Sequence, residues 1–320
     1  MSRICLIVVW MGPLPSYFPL WARTLSANKA YDFLLVTDQT PTVRLPSNLR
    51  VLGFRFDALR TFIASRLSME VSLEHPYKLC DFKPAYGEIF QDYLVGYGHW
   101  GCCDMDMFFG DLDHFITPAL LDTHRKLFSR GHLTIYRNEP AVNAAYRSSG
   151  LIDHSQIFAT PAVCLFDEWQ GIHRIFEELG FGQYNEEIMG DIKVYSSRLV
   201  CTNIPNHDRQ IFVWEEGHVR QYFLKDGAVA ATELAYVHFQ KRKITVDERV
   251  LDSRAMILNP QSVLPYDGPI TAEVIRKFDR TDLSHYLQSQ LKRIKKKIGP
   301  ARQGSLSINK KLIAEKPLSQ

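Results

Sequence analysis

Apolar residues follow two rhythms along the chain. The runs ICLIVVW (4–10) and DFLLVTD (32–38) are almost unbroken, as in strands buried on both faces. Between them YFPLWARTLSANK (17–29) has helical spacing, so the chain opens β-α-β, the unit of a parallel sheet covered on both sides. ALRTFIASRLSME (58–70) predicts a second helix. A third is expected to begin near Pro84, where proline suits a first turn and Ala85, Ile89 and Tyr93 form an apolar stripe beside Phe90 and Leu94. HWGCCDMDMFF (99–109) then reads as one strand. A helix is expected over 117–131, with Thr117 as N-cap, Pro118 at its first position and Gly131 as its stop. HLTIYRN (132–138) and AVCLF (162–166) predict further strands, 168–180 a helix, and 218–239 an antiparallel hairpin about Asp226-Gly227. The pattern defines one α/β domain over residues 1–275. The first strand is not followed by G-x-G-x-x-G and no P-loop sequence occurs, so neither nucleotide fingerprint is signalled.

Composition adds limits rather than detail. With 46% hydrophobic and 23% charged residues, the 320-residue chain has the make-up of a soluble globular protein. Aromatic residues reach 12%, which suits either a sugar- or base-binding cleft or a Phe/Tyr-rich core. The six cysteines form no C-x-x-C pair, and neighbouring Cys102 and Cys103 would face opposite ways on a strand. That argues against a zinc site or disulfide scaffold and for a reducing compartment. The first apolar run ends in Gly-Pro without a small-residue cleavage site. No run approaches the about 20 residues of a spanning helix. A cytoplasmic location is expected.

The net charge of +3 is unevenly placed. Residues 276–311 hold eleven Lys/Arg against Asp279 and Asp282, a local +9 that leaves −6 for the rest. Within them Leu287, Leu291, Ile294 and Ile298 are spaced by four, three and four, as in a basic amphipathic helix. The segment 276–320 is thus either a peripheral anchor on an anionic membrane or a solvated tail. Nucleic acid is not expected as a partner, because the aromatics lie elsewhere.

The candidate chemistry lies in HWGCCDMDMFFGDL (99–112), apolar until Asp104 and Asp106 appear. Residues i and i+2 of a strand face the same way, so the two carboxylates would project together. They repel unless protonated or bridged by a cation. A hard divalent ion such as Mg2+ or Mn2+ takes oxygen ligands and completes its shell with water and phosphate. Open α/β sheets bind ligands at the carboxyl ends of their strands, so a metal–diphosphate would fit here. Solvated strand-end acids are the other reading. Asp111 and Asp113 read as capping or solvent-facing acids.

The D-x-D strand after a β-α-β opening resembles the nucleotide-sugar glycosyltransferases of the GT-A fold. The stretch KLCDFKPAYGEIFQDYLVGYGHWGCCDMDMFFGDLDHFI, with MGPLPSYFPLWARTLSANKAYDFLLVTD and YVHFQKRK, is similar to bacterial transferases tied to capsule and surface-polysaccharide synthesis. The likeness covers roughly 3–245, most specifically 77–116. It implies a GT-A-like mixed sheet with helices on both faces, a nucleotide-sugar donor (UDP-linked foremost), a glycan or lipid-linked acceptor and Mn2+ or Mg2+. It also implies site roles. Asp106 would chelate the metal; Asp104 would hold it through water or touch the ribose; His238 would complete the shell, or else fill a core gap. Asp38 would meet the nucleotide. Asp81 and Lys83 would face donor sugar and phosphates, although D-F-K departs from the usual D-x-x-R spacing.

Three further sets of polar residues stay open. Lys241 and Arg242 either neutralise the departing diphosphate or form a solvated pair. Asn138, beside Arg137 at a strand end, either reaches sugar hydroxyls or starts a turn. Asp167, Glu168 and Asp191 are alternatives for a general base, the first two being otherwise helix N-terminal acids. A metal-dependent nucleotidyl- or phosphotransferase, or a non-catalytic nucleotide- or glycan-binding protein, would use the same fold.

Overall fold

The computed structural model describes residues 3–281 except 195 and 241, together with 286–287 and 290–291. Four strands, β1 (Ile4–Trp10), β2 (Tyr31–Thr37), β3 (Leu49–Gly53) and β4 (His99–Cys103), are mutually parallel in the order β3-β2-β1-β4. Helices α1 (Phe18–Leu25) and α2 (Phe56–Leu67) cover opposite faces, which explains the unbroken hydrophobicity of β1 and β2. Along β1, Ile4, Leu6 and Val8 enter one core cluster while Cys5 and Ile7 enter the other, the two-residue period of a pleated strand. Cys102 and Cys103 divide the same way.

After β4 come β5 (Met107–Phe109), β6 (Lys126–Leu127), β7 (Leu133–Arg137), β8 (Gln183–Tyr184) and β9 (Gly190–Asp191). The main sheet continues through β7, antiparallel to β4, then β6 and β8, so it is mixed. The later strands are β10 (Gln210–Glu215), β11 (His218–Lys225), β12 (Ala228–Leu234), β13 (Tyr236–His238), β14 (Thr245–Val246), β15 (Ala255–Leu258) and β16 (Ser262–Tyr266). A six-stranded second sheet has the order β12-β11-β10-β15-β16-β14, and a small third sheet is β5-β13-β9. The Asp226-Gly227 turn joins β11 to β12 with both φ angles positive, 52° and 80°, as expected for that pair. The fold is mixed α/β. Among the described residues no helix is long and apolar enough to cross a membrane.

Several local expectations are corrected. The helix expected from Pro84 is replaced by a 3-10 run Pro76–Ala85, a single α-turn Tyr86–Ile89 and another 3-10 turn Gln91–Tyr93. The helix expected over 117–131 ends at Thr123, although Thr117 does cap it through Leu120 N (3.4 Å). Two of its downstream residues, Lys126 and Leu127, form β6 instead. Residues 162–166 form no strand, because the amides of Cys164 and Phe166 donate to Asp81 (2.9 and 2.8 Å). The boundary drawn at residue 275 falls inside the helix Ala272–Phe278, whose Ile275 packs on Ile211, Val213 and Ile257. Most of the expected basic tail lies outside the described residues; Leu287 and Leu291, from its apolar stripe, are exposed.

Lys126 on β6 is 1% exposed and donates to the carbonyl of Phe128. Burial pulls its pKa down from 10.5 to about 7. The unfolded chain therefore binds more protons than the folded one between those values, and stability rises with pH across that window. Replacing Lys126 by Met should flatten this rise and stabilise the protein at pH 7 by about 1 kcal/mol or more, with the advantage gone near pH 10.5. Urea unfolding of both proteins across the window checks it.

Candidate functional site

A cleft of about 510 Å3 opens at the carboxyl ends of β1 and β4. Its wall includes Asp104, Asp106, Lys83, Arg130, His132, Asp167, Glu168, Asp191, His238 and Gln240. The D-x-D sequence lies in a bend that separates β4 from β5, not within one strand as expected. Buried Met105 anchors the middle of the bend. Asp104 N donates to His132 O and Phe239 N donates to Asp106 O, both at 3.0 Å, so the bend is pinned from two directions. The strand register explains why distant residues meet. In β13, His238 lies opposite Met107 of antiparallel β5 and Asp191 of parallel β9.

His238 is the centre of the cluster. Its Nδ1 lies 2.9 Å from Asp191 Oδ1 and its Nε2 lies 3.3 Å from Asp106 Oδ1. Asp191 Oδ1 also accepts from Gln240 (2.7 Å), and its Oδ2 from Thr202 (2.8 Å), with Arg130 3.4 Å away. Burial acts against ionisation of Asp191, but the hydrogen bonds from His238 and Gln240 outweigh it and hold the carboxylate well below its usual range. For His238, burial is outweighed by the hydrogen bonds to Asp106 and Asp191, which raise it to about 10. The His132 ring lies beside that of His238, with centroids 4.3 Å apart and planes tilted by 34°; burial first, and then the His238 charge, push its pKa well down.

A second cluster centres on Lys83, whose ammonium reaches Asp104 Oδ1 (2.7 Å), Asp167 Oδ2 (3.0 Å) and Gly131 O (2.7 Å). Burial would lower its pKa, yet the two carboxylates prevail and keep it charged. One cation shared by two acids leaves the more buried acid under-compensated. Asp167 is accordingly raised to about 7 by burial, and its Oδ1 is buried without a partner. Burial also raises neighbouring Glu168. The helix beyond them starts only at Ile172, so neither is a first-turn acid.

Gly131, expected as a helix stop, instead admits Asp167: a Cβ there would stand 2.2 Å from its Oδ2. Gly131→Ala should displace Asp167 from Lys83 and cost about 1–3 kcal/mol by overpacking. A thermal melt beside the activity of Asp167→Ala checks whether the two changes share one defect.

The other expected site residues that the structure describes fall outside the cleft wall. Asp81 is fully buried, and Lys78 (2.8 Å) and the amides of Cys164 and Phe166 occupy its oxygens, so it does not meet a donor sugar. Asn138 sits at the wrong end of the sheet, because β7 is antiparallel to β4 and Arg137 pairs with His99. Its amide donates to Leu94 O and Tyr97 O. Arg242 is 3% exposed and donates to the carbonyls of Lys193 (2.7 Å) and Ser196 (2.9 Å), a backbone brace and not a diphosphate clamp. Lys241 lies outside the described residues. Asp38 is exposed at the end of β2, accepting from Gln39 Nε2 and Gly12 N; chiefly the Gln39 bond lowers its pKa. Asp111 caps the following turn through Asp113 N, as expected.

Sequence reasoning missed Arg130, His132 and Gln240. Arg130 and His132 flank the turn into β7 and Gln240 follows β13, with no local pattern to mark them.

The donor set fits a divalent ion. The ligand atoms of Asp104, Asp106 and His238 lie within 4.8 Å of one another, and so do those of His132, Asp191 and His238. Two ligands about 2.1 Å from one ion stand about 3.0 Å apart at a right angle and about 3.4 Å at the tetrahedral angle. The 3.3 Å between Asp106 Oδ1 and His238 Nε2 falls in that interval. Lys83 engages only Oδ1 of Asp104.

A mixed α/β protein with an acid–histidine cluster at the carboxyl edge of its parallel strands is the class that fold and site define. The model of a family of unknown function, DUF6625, matches residues 6–267, and the chain belongs to that family. No curated protein matches the sequence.

Proposed function

We propose that the protein is a metal-dependent glycosyltransferase of GT-A type. It moves a sugar from a nucleoside-diphosphate donor, UDP-linked foremost, to a surface-glycan or lipid-linked acceptor at the inner face of the membrane. The observation that carries the reading is the meeting of Asp104, Asp106 and His238 within 4.8 Å on the wall of the 510 Å3 cleft. These side chains would hold Mn2+ or Mg2+, which when bound supplies charge screening for a leaving diphosphate.

The chain's own groups divide the remaining work. Asp191 accepts the Nδ1 proton of His238 and so directs Nε2 toward Asp106, the carboxylate–histidine arrangement that orients a metal ligand. That makes Asp191 a positioning residue and leaves Asp167, paired with Lys83, and Glu168, both on the cleft wall, as the acids able to take an acceptor proton. With a pKa of about 7, Asp167 exchanges a proton near neutrality. Lys83 and Arg130 bring positive charge to the wall where a diphosphate would lie.

The test is a thermal-shift panel of UDP, GDP, CDP and their sugars with Mn2+, Mg2+ or EDTA. A ligand of the folded state raises Tm by mass action, by about 2.7 kcal/mol of stability at a hundred times Kd. Metal-dependent stabilisation by one nucleotide is expected, followed by release of free nucleoside diphosphate from its sugar. Release of pyrophosphate would indicate a nucleotidyltransferase, and no response to any nucleotide would exclude both.

A further inference from the structure

We propose that the cleft holds a second, deeper cation position formed by His132, Asp191 and His238, selective for a first-row transition ion such as Zn2+, and that it competes with the Asp104–Asp106 position for His238. The three ligand atoms lie within 4.8 Å of one another and all three residues are buried. His132 is 7% exposed, and its Nε2 is buried without a hydrogen-bond partner, while its Nδ1 meets the hydroxyl of Tyr236 at 3.1 Å. A neutral imidazole with one nitrogen fixed by a neighbour and the other unpartnered is the usual state of a metal-binding histidine.

Asp191 is prepared as the anionic member. Thr202 and Arg130 face its Oδ2, which leaves Oδ1 toward His238 and Gln240. The 2.9 Å between His238 Nδ1 and Asp191 Oδ1 is bridged by a proton when no ion is bound. It is also close to the separation of two ligands sharing one ion, about 3.0 Å at a right angle. Binding here exchanges the Nδ1 proton of His238 for the ion, and the proton leaves to solvent.

The two positions differ in chemistry. Two carboxylates and one imidazole suit Mn2+ or Mg2+ with phosphate oxygens, whereas two imidazoles and one carboxylate favour Zn2+ or Co2+ over Mg2+. They also exclude each other. An ion on Nδ1 leaves Nε2 protonated and donating to Asp106, which withdraws both groups from the outer position. The inner ion is therefore an inhibitor of any activity that needs the outer one. That consequence rests on the transferase reading; the existence of the inner site does not.

Co2+ titration of the metal-stripped full chain, followed by visible absorption, tests it. The Asp104→Asn/Asp106→Asn variant should keep Co2+ binding, with the intense absorption of a low-coordinate ion, and Zn2+ should displace it. His132→Gln should weaken Co2+ at least tenfold and leave Mn2+ affinity within threefold. Loss of Co2+ binding in the double variant, or unchanged Co2+ affinity in His132→Gln, overturns the proposal. Should His132→Gln fail to fold, zinc-edge X-ray absorption on the unmodified protein decides by counting imidazoles, two for the inner position and one for the outer. Failure of the transferase reading shows separately, as absence of Mn2+-dependent nucleotide binding in the unmodified chain.

Discussion

Replacing Asp106 by Ala should abolish Mn2+-dependent nucleotide binding and lower kcat/KM roughly a thousandfold, about 4 kcal/mol of transition-state stabilisation. Its side chain is 18% exposed and faces His238, which keeps Asp191 as a partner after the change. The loss is held to that of one hydrogen bond to a charged group, about 1.5–3 kcal/mol, and removing one of two adjacent carboxylates relieves repulsion with Asp104. Tm should stay within a few degrees while calorimetry shows the Mn2+ isotherm gone. Asp104→Ala should behave differently, because it also frees the Lys83 ammonium to pair with Asp167 alone. Wild-type turnover in the Asp106 variant would remove the basis of the transferase reading.

The largest stability effect is expected from Lys78 and Asp81, both 0% exposed and 2.8 Å apart. Lys78 Nζ also donates to the carbonyls of Ile157 (2.8 Å) and Ala162 (2.6 Å), so all three of its protons are used. Asp81 accepts in addition from the amides of Cys164 and Phe166. Removing one member of a buried pair leaves an uncompensated charge and costs about 3–5 kcal/mol. For a chain of this size Tm falls by roughly ten degrees. Lys78→Met and Asp81→Ala should each show this loss. Removing both should not restore stability, because the two amides stay buried without acceptors. The amides flank Leu165, which has a φ of 57° and lines the cleft 42% exposed, so the pair also holds a non-glycine residue in left-handed backbone. Activity in these variants should fall with the position of Asp167, two residues on. A melt and an activity assay at a temperature where each variant is folded separate the two effects.

Much of the scaffold was legible in hydrophobic spacing. Strand β1 has the expected bounds 4–10, and the β-α-β opening, the 218–239 hairpin and the Thr117 cap follow from rules that act over a few residues. The D-x-D pair and His238 do meet, but the expectation for His238 came through a resemblance, since no local pattern joins residues so far apart in the chain. What the sequence hid was strand direction and competition for backbone amides. Asn138 was open between sugar hydroxyls and a turn; β7 runs antiparallel to β4, which puts it at the end of the sheet away from the cleft. AVCLF has a strand's composition, yet Asp81 takes the amides a sheet would have used. Arg242 and Asp81 had the right chemistry for a ligand site, and only their burial against backbone groups shows that they serve the fold.

The small sheet β5-β13-β9 has a consequence for how the site comes into being during synthesis. β5 lacks its partner until residues 236–238 are made, and β9 pairs with the same three-residue strand. The parallel core of β1 to β4 can collapse earlier, since its strands lie within the first 103 residues. Contacts of such long sequence separation close late, after the loop entropy between them has been overcome. A nascent chain halted before residue 236 would carry Asp104, Asp106 and Asp191 without the imidazole that draws them together, and the cation centre would be among the last features to form. On the proposed reading, ion affinity would report completion of the fold.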